Sequence, residues 1–306
     1  MVVTTTALGD VVENVVGEEA DVVTLIPLGA DPHDFQASAQ QANQIREADA
    51  LVVNGAGLEE GLLDVIESAE DDGVPTFEAI SAVATIGFGE GGHAHDDEHS
   101  EEDHAEEDHA EDDHAEDDHS AGDEHVHEGA DPHFFLDPAR MAVVADAIGD
   151  FLTTTVDGID AGALDVATSG YVNELEHLDA EIEESLSEIE DERRVLVTNH
   201  DALGYFAERY DFEVIGTVIP SGSTADGSSA GTLADLAETV RDQGVPAVFA
   251  DNSASDDLAR TLADEVGDDI AVVELFTGSL GEQGSEAATY VEMIRTNAER
   301  IAGALA

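Results

Sequence analysis

Thirteen histidines stand in a chain without a single cysteine, so imidazole and carboxylate are the only strong ligands it can offer a soft or borderline metal. Nine of them lie between His93 and His127. The other four are His33, His133, His177 and His200. His33 closes the pentapeptide Gly29-Ala30-Asp31-Pro32-His33, and His133 closes the same pentapeptide, Gly129-Ala130-Asp131-Pro132-His133. Proline locks its own φ and stiffens such a loop, which suits a ligand that must be preset. His200 sits in Thr198-Asn199-His200-Asp201, directly after an apolar run that reads as a strand. Neutral imidazole is the commonest metal ligand, and three imidazoles from separate loops form a trigonal face for Zn²⁺. A lone histidine after a strand is more often a loop or capping residue. The repeated pentapeptide shifts the balance toward a metal. His177 lies among acids in a long helical pattern and reads as a solvated surface residue.

Three histidines with an open fourth position are also a catalytic zinc arrangement, so a zinc-dependent hydrolase is an alternative. Against it, the chain has no HExxH segment and no evident Glu base beside a ligand. A third feature is the five-residue repeat that places His99, His104, His109, His114 and His119 in register among Asp, Glu and Ala. These five are candidates for weak auxiliary metal sites. A mobile loop loses conformational entropy when it closes on an ion, so its affinity should fall below that of a preset site. The bland alternative is a solvated acidic insertion whose histidines are incidental. A soluble metal buffer built on the repeat alone would not need folded lobes around it.

The elements that must position these residues follow from the apolar pattern. Candidate strands are 2–6, 21–26, 50–54 and 75–77, alternating with helical patterns at 7–16, 38–47 and 60–69. Residues 87–129 have no apolar face at either period and are expected to form a mobile loop. Helical patterns follow at 138–155 and 161–189, the second a candidate connecting helix. Strands at 194–198, 212–218, 247–251 and 270–276 then alternate with helices at 202–210, 232–243, 255–266 and 285–304. The expected fold is α/β: two Rossmann-like lobes with parallel sheets, joined by a long rigid helix. The expected division is 1–160 for the first lobe, 161–190 for the connecting helix and 191–306 for the second lobe. Ligands of open parallel sheets bind at the carboxyl ends of the strands, which places the metal in the cleft between lobes.

The charge balance is extreme: 73 acids against 9 basic residues, every one of them Arg, for a formal charge of −64. Residues 91–128 hold 18 of those acids, so the rest of the chain still carries 55 against the 9 arginines. Such self-repulsion opposes compaction at ordinary ionic strength, and at molar salt a Debye length of about 3 Å screens it. The pattern points to an extreme halophile. It also excludes nucleic acid as a partner, because phosphates are repelled. No run of 18 apolar residues crosses a membrane. A first strand almost flush with residue 1 is the form expected after removal of an export segment, with any lipid-anchoring Cys upstream.

Four segments, in this order, resemble one family. They are Ile26-Pro27-Leu28-Gly29-Ala30-Asp31-Pro32-His33-Asp34-Phe35, Asp131-Pro132-His133-Phe134-Phe135-Leu136-Asp137-Pro138, Thr198-Asn199-His200-Asp201-Ala202-Leu203-Gly204-Tyr205-Phe206, and Phe276-Thr277-Gly278-Ser279-Leu280-Gly281 before a terminal helix. Together with the acidic His-rich insertion, they are similar to the metal-receptor solute-binding proteins of ABC transporters, the zinc- and manganese-uptake class. The resemblance covers essentially the whole chain. It implies a monomeric, extracytoplasmic, membrane-anchored receptor that is not an enzyme and delivers its ion to an ABC permease. It implies one metal between the lobes, with His33 and His133 from the first and His200 from the second. Members often carry a carboxylate at the position of Gly278, which leaves the fourth ligand open here. Asp251 matches a family carboxylate and is a candidate for orienting a histidine, with a strand-end cap as its plainer role. Three imidazoles favour Zn²⁺; Mn²⁺ or Fe²⁺, which take more oxygen ligands, are the alternatives.

Overall fold

The computed structural model describes residues 1–88, 129–225, 227–267 and 270–306. The repeat carrying His99, His104, His109, His114 and His119 lies outside the described residues. Two sheets organise the chain, each of four parallel strands. The first is formed by β1 (Val2–Val3), β2 (Val23–Thr24), β3 (Leu51–Val53) and β4 (Thr76–Glu78), in the order β2-β1-β3-β4. The second is formed by β5 (Val195–Thr198), β6 (Glu213–Thr217), β7 (Ala247–Asp251) and β8 (Ala271–Leu275), in the order β6-β5-β7-β8. Each sheet is therefore doubly wound. The chain leaves the first strand in one direction and returns to build on its other side, which opens a crevice at the carboxyl ends.

The helices that link these strands are α1 (Thr6–Val16), α2 (Ala39–Arg46) and α3 (Leu63–Asp71) in the first half, followed by α4 (Pro138–Thr155). Then come α5 (Ala161–Leu186), α6 (Gly204–Tyr210), α7 (Ala230–Gln243), α8 (Asp257–Val266) and α9 (Tyr290–Leu305). Strand alternation sends side chains to two faces of each sheet. Val3 and Val52 join the largest buried cluster, whereas Val2, Leu51 and Val53 pack with Ile45 and Leu62 on the other face. Leu196 and Phe249 likewise join the large cluster, whereas Val197, Val248 and Ala250 pack with Leu236 and Leu262. The large cluster thus draws on both sheets and runs from Val3 to Leu305. Helix α5 follows the first sheet and precedes the second in the chain, and is about 39 Å long at 1.5 Å per residue. Its buried residues Leu164, Tyr171, Leu175, Leu178, Ile182 and Leu186 form one stripe. That stripe packs on α1, α4 and α9.

Several element ends shift by a few residues from the sequence pattern, and at two of them a polar side chain stops the element. The first strand ends at Val3, since Thr5 caps α1 by accepting a hydrogen bond from the Leu8 amide. The last helix begins at Tyr290 rather than 285, because Thr289 caps it through the Glu292 amide and residues 281–289 turn back on themselves, Gly281 donating to Ala287. Among the described residues no helix is long and apolar enough to cross a membrane.

Candidate metal centre

His33 lies in the loop between β2 and α2, which ends in a capping box of Ser38 and Gln41. Its amide donates to Asp31 Oδ1 at 3.0 Å, so Asp31-Pro32-His33 forms a closed turn. The second pentapeptide repeats the device: the His133 amide donates to Asp131 Oδ1 at 2.9 Å. That loop is pinned from three sides. Asp131 donates its amide to Ile86 at 2.9 Å, Asn54 donates to the Pro132 carbonyl at 2.9 Å, and the Tyr205 hydroxyl donates to the Asp131 carbonyl at 2.8 Å. His200 follows β5 at the switch point of the second sheet. Asn199 donates to Phe249 at 2.8 Å, and the His200 carbonyl accepts from the Thr198 hydroxyl at 2.7 Å, so a short polar turn presents the imidazole.

The three imidazoles meet. Their ring centroids stand 5.5, 5.1 and 5.7 Å apart, and the side chains are 5%, 1% and 3% exposed for His33, His133 and His200. Each turns Nε2 inward: His133 Nε2 lies 3.4 Å from His33 Nε2 and 3.4 Å from His200 Nε2. One ligand atom of each residue lies within 4.8 Å of the others. A tetrahedral Zn²⁺ with bonds of about 2.0–2.1 Å sets its ligand atoms about 3.3–3.4 Å apart. The donor set therefore fits such an ion without rearrangement of the His133 pairs.

Electrostatics favour neutral, ligating imidazoles. Burial lowers all three histidines from their ordinary range, His200 to about 3, with the neighbouring His133 adding to the effect there. The Nδ1 atom of His133 lies 2.7 Å from Asp131 Oδ1. With its proton on Nδ1, His133 donates to Asp131 and leaves the Nε2 lone pair free. Burial pushes Asp131 up to about 8. A cation on the far side of the imidazole opposes that effect and favours the carboxylate.

The remaining candidates take different places. His177 lies on the exposed face of α5, away from the cluster. Asp251 is buried, but its hydrogen bonds go elsewhere. Oδ1 accepts from the Ser253 amide (2.5 Å), the Ser253 hydroxyl (2.6 Å) and the Ala254 amide (3.0 Å), and Oδ2 accepts from Thr277. It caps the turn after β7, while its charge acts through space on all three histidines. Gly278 faces this same turn: a Cβ there would overlap Ser253 Oγ and stand 3.4 Å from Asp251 Oδ1. No side chain, and so no carboxylate, fits at 278 while Ser253 stays in place.

Three neighbours were not evident from residue spacing: Asp131 as the partner of His133, Thr224, which donates to Asp31 Oδ2 from the second half, and Glu60, whose Oε1 lies 3.9 Å from His33 Nδ1. The first carried a local signal, an Asp two residues before each of the two pentapeptide histidines. The other two depend on long-range packing. His33 and Glu60 line a cavity of about 620 Å³ that also reaches Phe88, Pro132 and Gly222.

The model of the periplasmic zinc-uptake complex component A family matches residues 1–304. The chain belongs to that family. Its likeness to solved structures agrees: the periplasmic zinc-binding protein TroA of Treponema pallidum superposes with a TM-score of 0.80 at 26% identity, covering 100% of this chain and 98% of that one. The manganese-binding lipoprotein MntA of Halalkalibacterium halodurans is 27% identical over 303 residues, 97% of this chain and 85% of the relative. The manganese ABC transporter substrate-binding lipoprotein PsaA of Streptococcus mitis is 24% identical over 310 residues, 100% and 89% of the two chains. The proteins it is similar to are thus named for zinc and for manganese, and they include a substrate-binding component of an ABC transporter.

Proposed function

We propose that the chain is the extracytoplasmic receptor of an ABC-type metal importer, that it holds one Zn²⁺ on His33, His133 and His200, and that it hands the ion to the membrane permease. The observation that carries this reading is the convergence of three buried imidazoles, with His133 Nε2 at 3.4 Å from both other Nε2 atoms, the spacing of ligands on a tetrahedral ion. Zinc is favoured over manganese because the three candidate ligands are nitrogen and Gly278 brings no oxygen, its side-chain space being taken by the Ser253 hydroxyl. The relatives named for manganese keep Mn²⁺, and after it Fe²⁺, as the second reading.

The receptor works as a monomer anchored at the membrane surface, in line with the relatives named as lipoproteins. Residues 1–160 and 191–306 act as the two lobes, with 161–190 as the rigid connector. His99, His104, His109, His114 and His119 supply weak auxiliary binding that gathers ions near the cleft. Zinc competition against a chelator, in molar salt, tests the site. His33→Ala, His133→Ala and His200→Ala should each abolish tight binding, and three variants that titrate like the parent would place the site elsewhere. Deleting residues 91–128 should remove only the weak additional binding. Metal-dependent hydrolysis of esters or peptides by the parent would instead favour an enzyme.

A further inference from the structure

We infer that Glu60 is the carboxylate that positions His33, closing on its Nδ1 when an ion binds Nε2. This role rests on the reading of His33, His133 and His200 as metal ligands.

An ion at Nε2 takes up the lone pair there and obliges the ring proton to sit on Nδ1. That proton must find an acceptor, because a buried donor without one forfeits its hydration for nothing. His133 meets the requirement inside its own pentapeptide, with Asp131 Oδ1 at 2.7 Å from Nδ1. His33 stands on the same pentapeptide but does not repeat the arrangement. Its Nδ1 is buried and has no hydrogen-bond partner. The corresponding acid, Asp31, spends Oδ1 on the His33 amide and Oδ2 on the Thr224 hydroxyl of the other half of the molecule. The duplicated motif has thus given one copy to the imidazole and the other to a bond between the lobes.

Glu60 fills the missing role. Its Oε1 lies 3.9 Å from His33 Nδ1, one small step beyond hydrogen-bond length. Among the described residues it is the acid that pairs with His33 at this range. Its backbone is held firmly. It begins the 3₁₀ turn Glu60–Leu62, which follows Gly55, Ala56 and Gly57, all at positive φ (89°, 49° and 76°). Ala56, the one non-glycine of these, donates its amide to Glu78 Oε1 at 3.2 Å. The Glu60 side chain, by contrast, is 47% exposed at the wall of the cavity leading to His33, so a change of rotamer can bring it in. Closure would add negative charge beside the ion and narrow the cavity at the same time. A half-exposed acid on a firm turn, next to an unpartnered buried nitrogen, is the arrangement of a positioning residue that engages on loading.

The test compares the full-length parent with Glu60→Ala, Glu60→Gln and His33→Ala in molar salt. Two quantities are read: zinc affinity by chelator competition, and solvent exchange of the His33 Nδ1 proton by NMR on protein with ¹⁵N-labelled histidine. In the zinc-loaded parent that proton should exchange slowly. Glu60→Ala should weaken zinc by about 10-fold, the low end for loss of a partner behind a ligating histidine, and should speed the exchange. Glu60→Gln keeps an acceptor and should fall between the two. If Glu60→Ala binds zinc like the parent and the proton stays slow, the inference is wrong and the three-histidine site stands. If the parent does not bind zinc, or His33→Ala binds like the parent, the site reading fails and this inference fails with it.

Discussion

Placing a side chain at position 278 probes how the turn after β7 fills the place from which a fourth ligand to the proposed ion would come. A Cβ at Gly278 would overlap Ser253 Oγ and stand 3.1 Å from the Ser253 Cβ, closer than ordinary side-chain contact. Rotating Ser253 away relieves the overlap but breaks its hydroxyl's bond to Asp251 Oδ1, now 2.6 Å. A hydrogen bond to a charged group contributes about 1.5–3 kcal/mol, and overpacking costs about 1–3 kcal/mol, so Gly278→Ala should destabilise the metal-free protein by about 1.5–3 kcal/mol. At about 2–4 °C per kcal/mol this lowers the melting temperature by roughly 3–12 °C. Calorimetry in molar salt measures it. Ser253→Gly in the same chain removes the obstacle and should recover most of the loss beyond its own cost. The pair Gly278→Asp with Ser253→Gly should then offer the ion an oxygen and raise the manganese-to-zinc affinity ratio, read by competition titration. A Gly278→Ala protein that melts with the parent would refute the steric argument. An unchanged ratio in the double variant would refute the account of zinc preference.

Three other outcomes are expected. Asp131→Asn removes the charge behind His133 and should weaken zinc about 10–100-fold in chelator competition; an affinity equal to the parent's would deny Asp131 a role in orienting the ring. His200 is held by burial down to about 3, below the ordinary imidazole value near 6.5. Between those values the unfolded chain binds a proton that the native chain does not, so stability falls as pH drops from about 6.5 toward 3, by at most about 1.4 kcal/mol per pH unit for this one group. The metal-free parent should therefore lose stability on acidification from pH 7 to 5 faster than His200→Gln, and parallel melting curves would contradict this. Finally, a charge of −64 predicts that the melting temperature rises steadily with KCl into the molar range; a flat or falling curve would count against self-repulsion as the main electrostatic force opposing the fold.

Much of the architecture was legible because it is written in short-range patterns. Alternating strand and helix periods identified every strand of both sheets within a few residues, since burial on both faces demands apolar runs and helices demand a stripe. The ends were less legible: Thr5 and Thr289 shorten their elements by capping, a choice that depends on which amides remain unpaired in three dimensions. The three histidines could be picked out because a repeated pentapeptide and a strand end are local features.

What those histidines do to one another was decided only by the tertiary structure. His33 and His133 are 100 residues apart, and His133 and His200 are 67 apart, yet the Nε2 atom of His133 stands 3.4 Å from each of the other two. No periodicity carries such a distance; it comes from two sheets sharing one core across α5. The same packing makes two identical pentapeptides unequal, giving Asp131 to its histidine and Asp31 to Thr224. It turns Asp251 into a cap and leaves Gly278 no space beside Ser253. Composition and spacing singled out the candidate ligand types, because chemistry resides in side chains. Their partners, spacing and protonation were set by burial and by contacts between distant segments, which a linear sequence does not display.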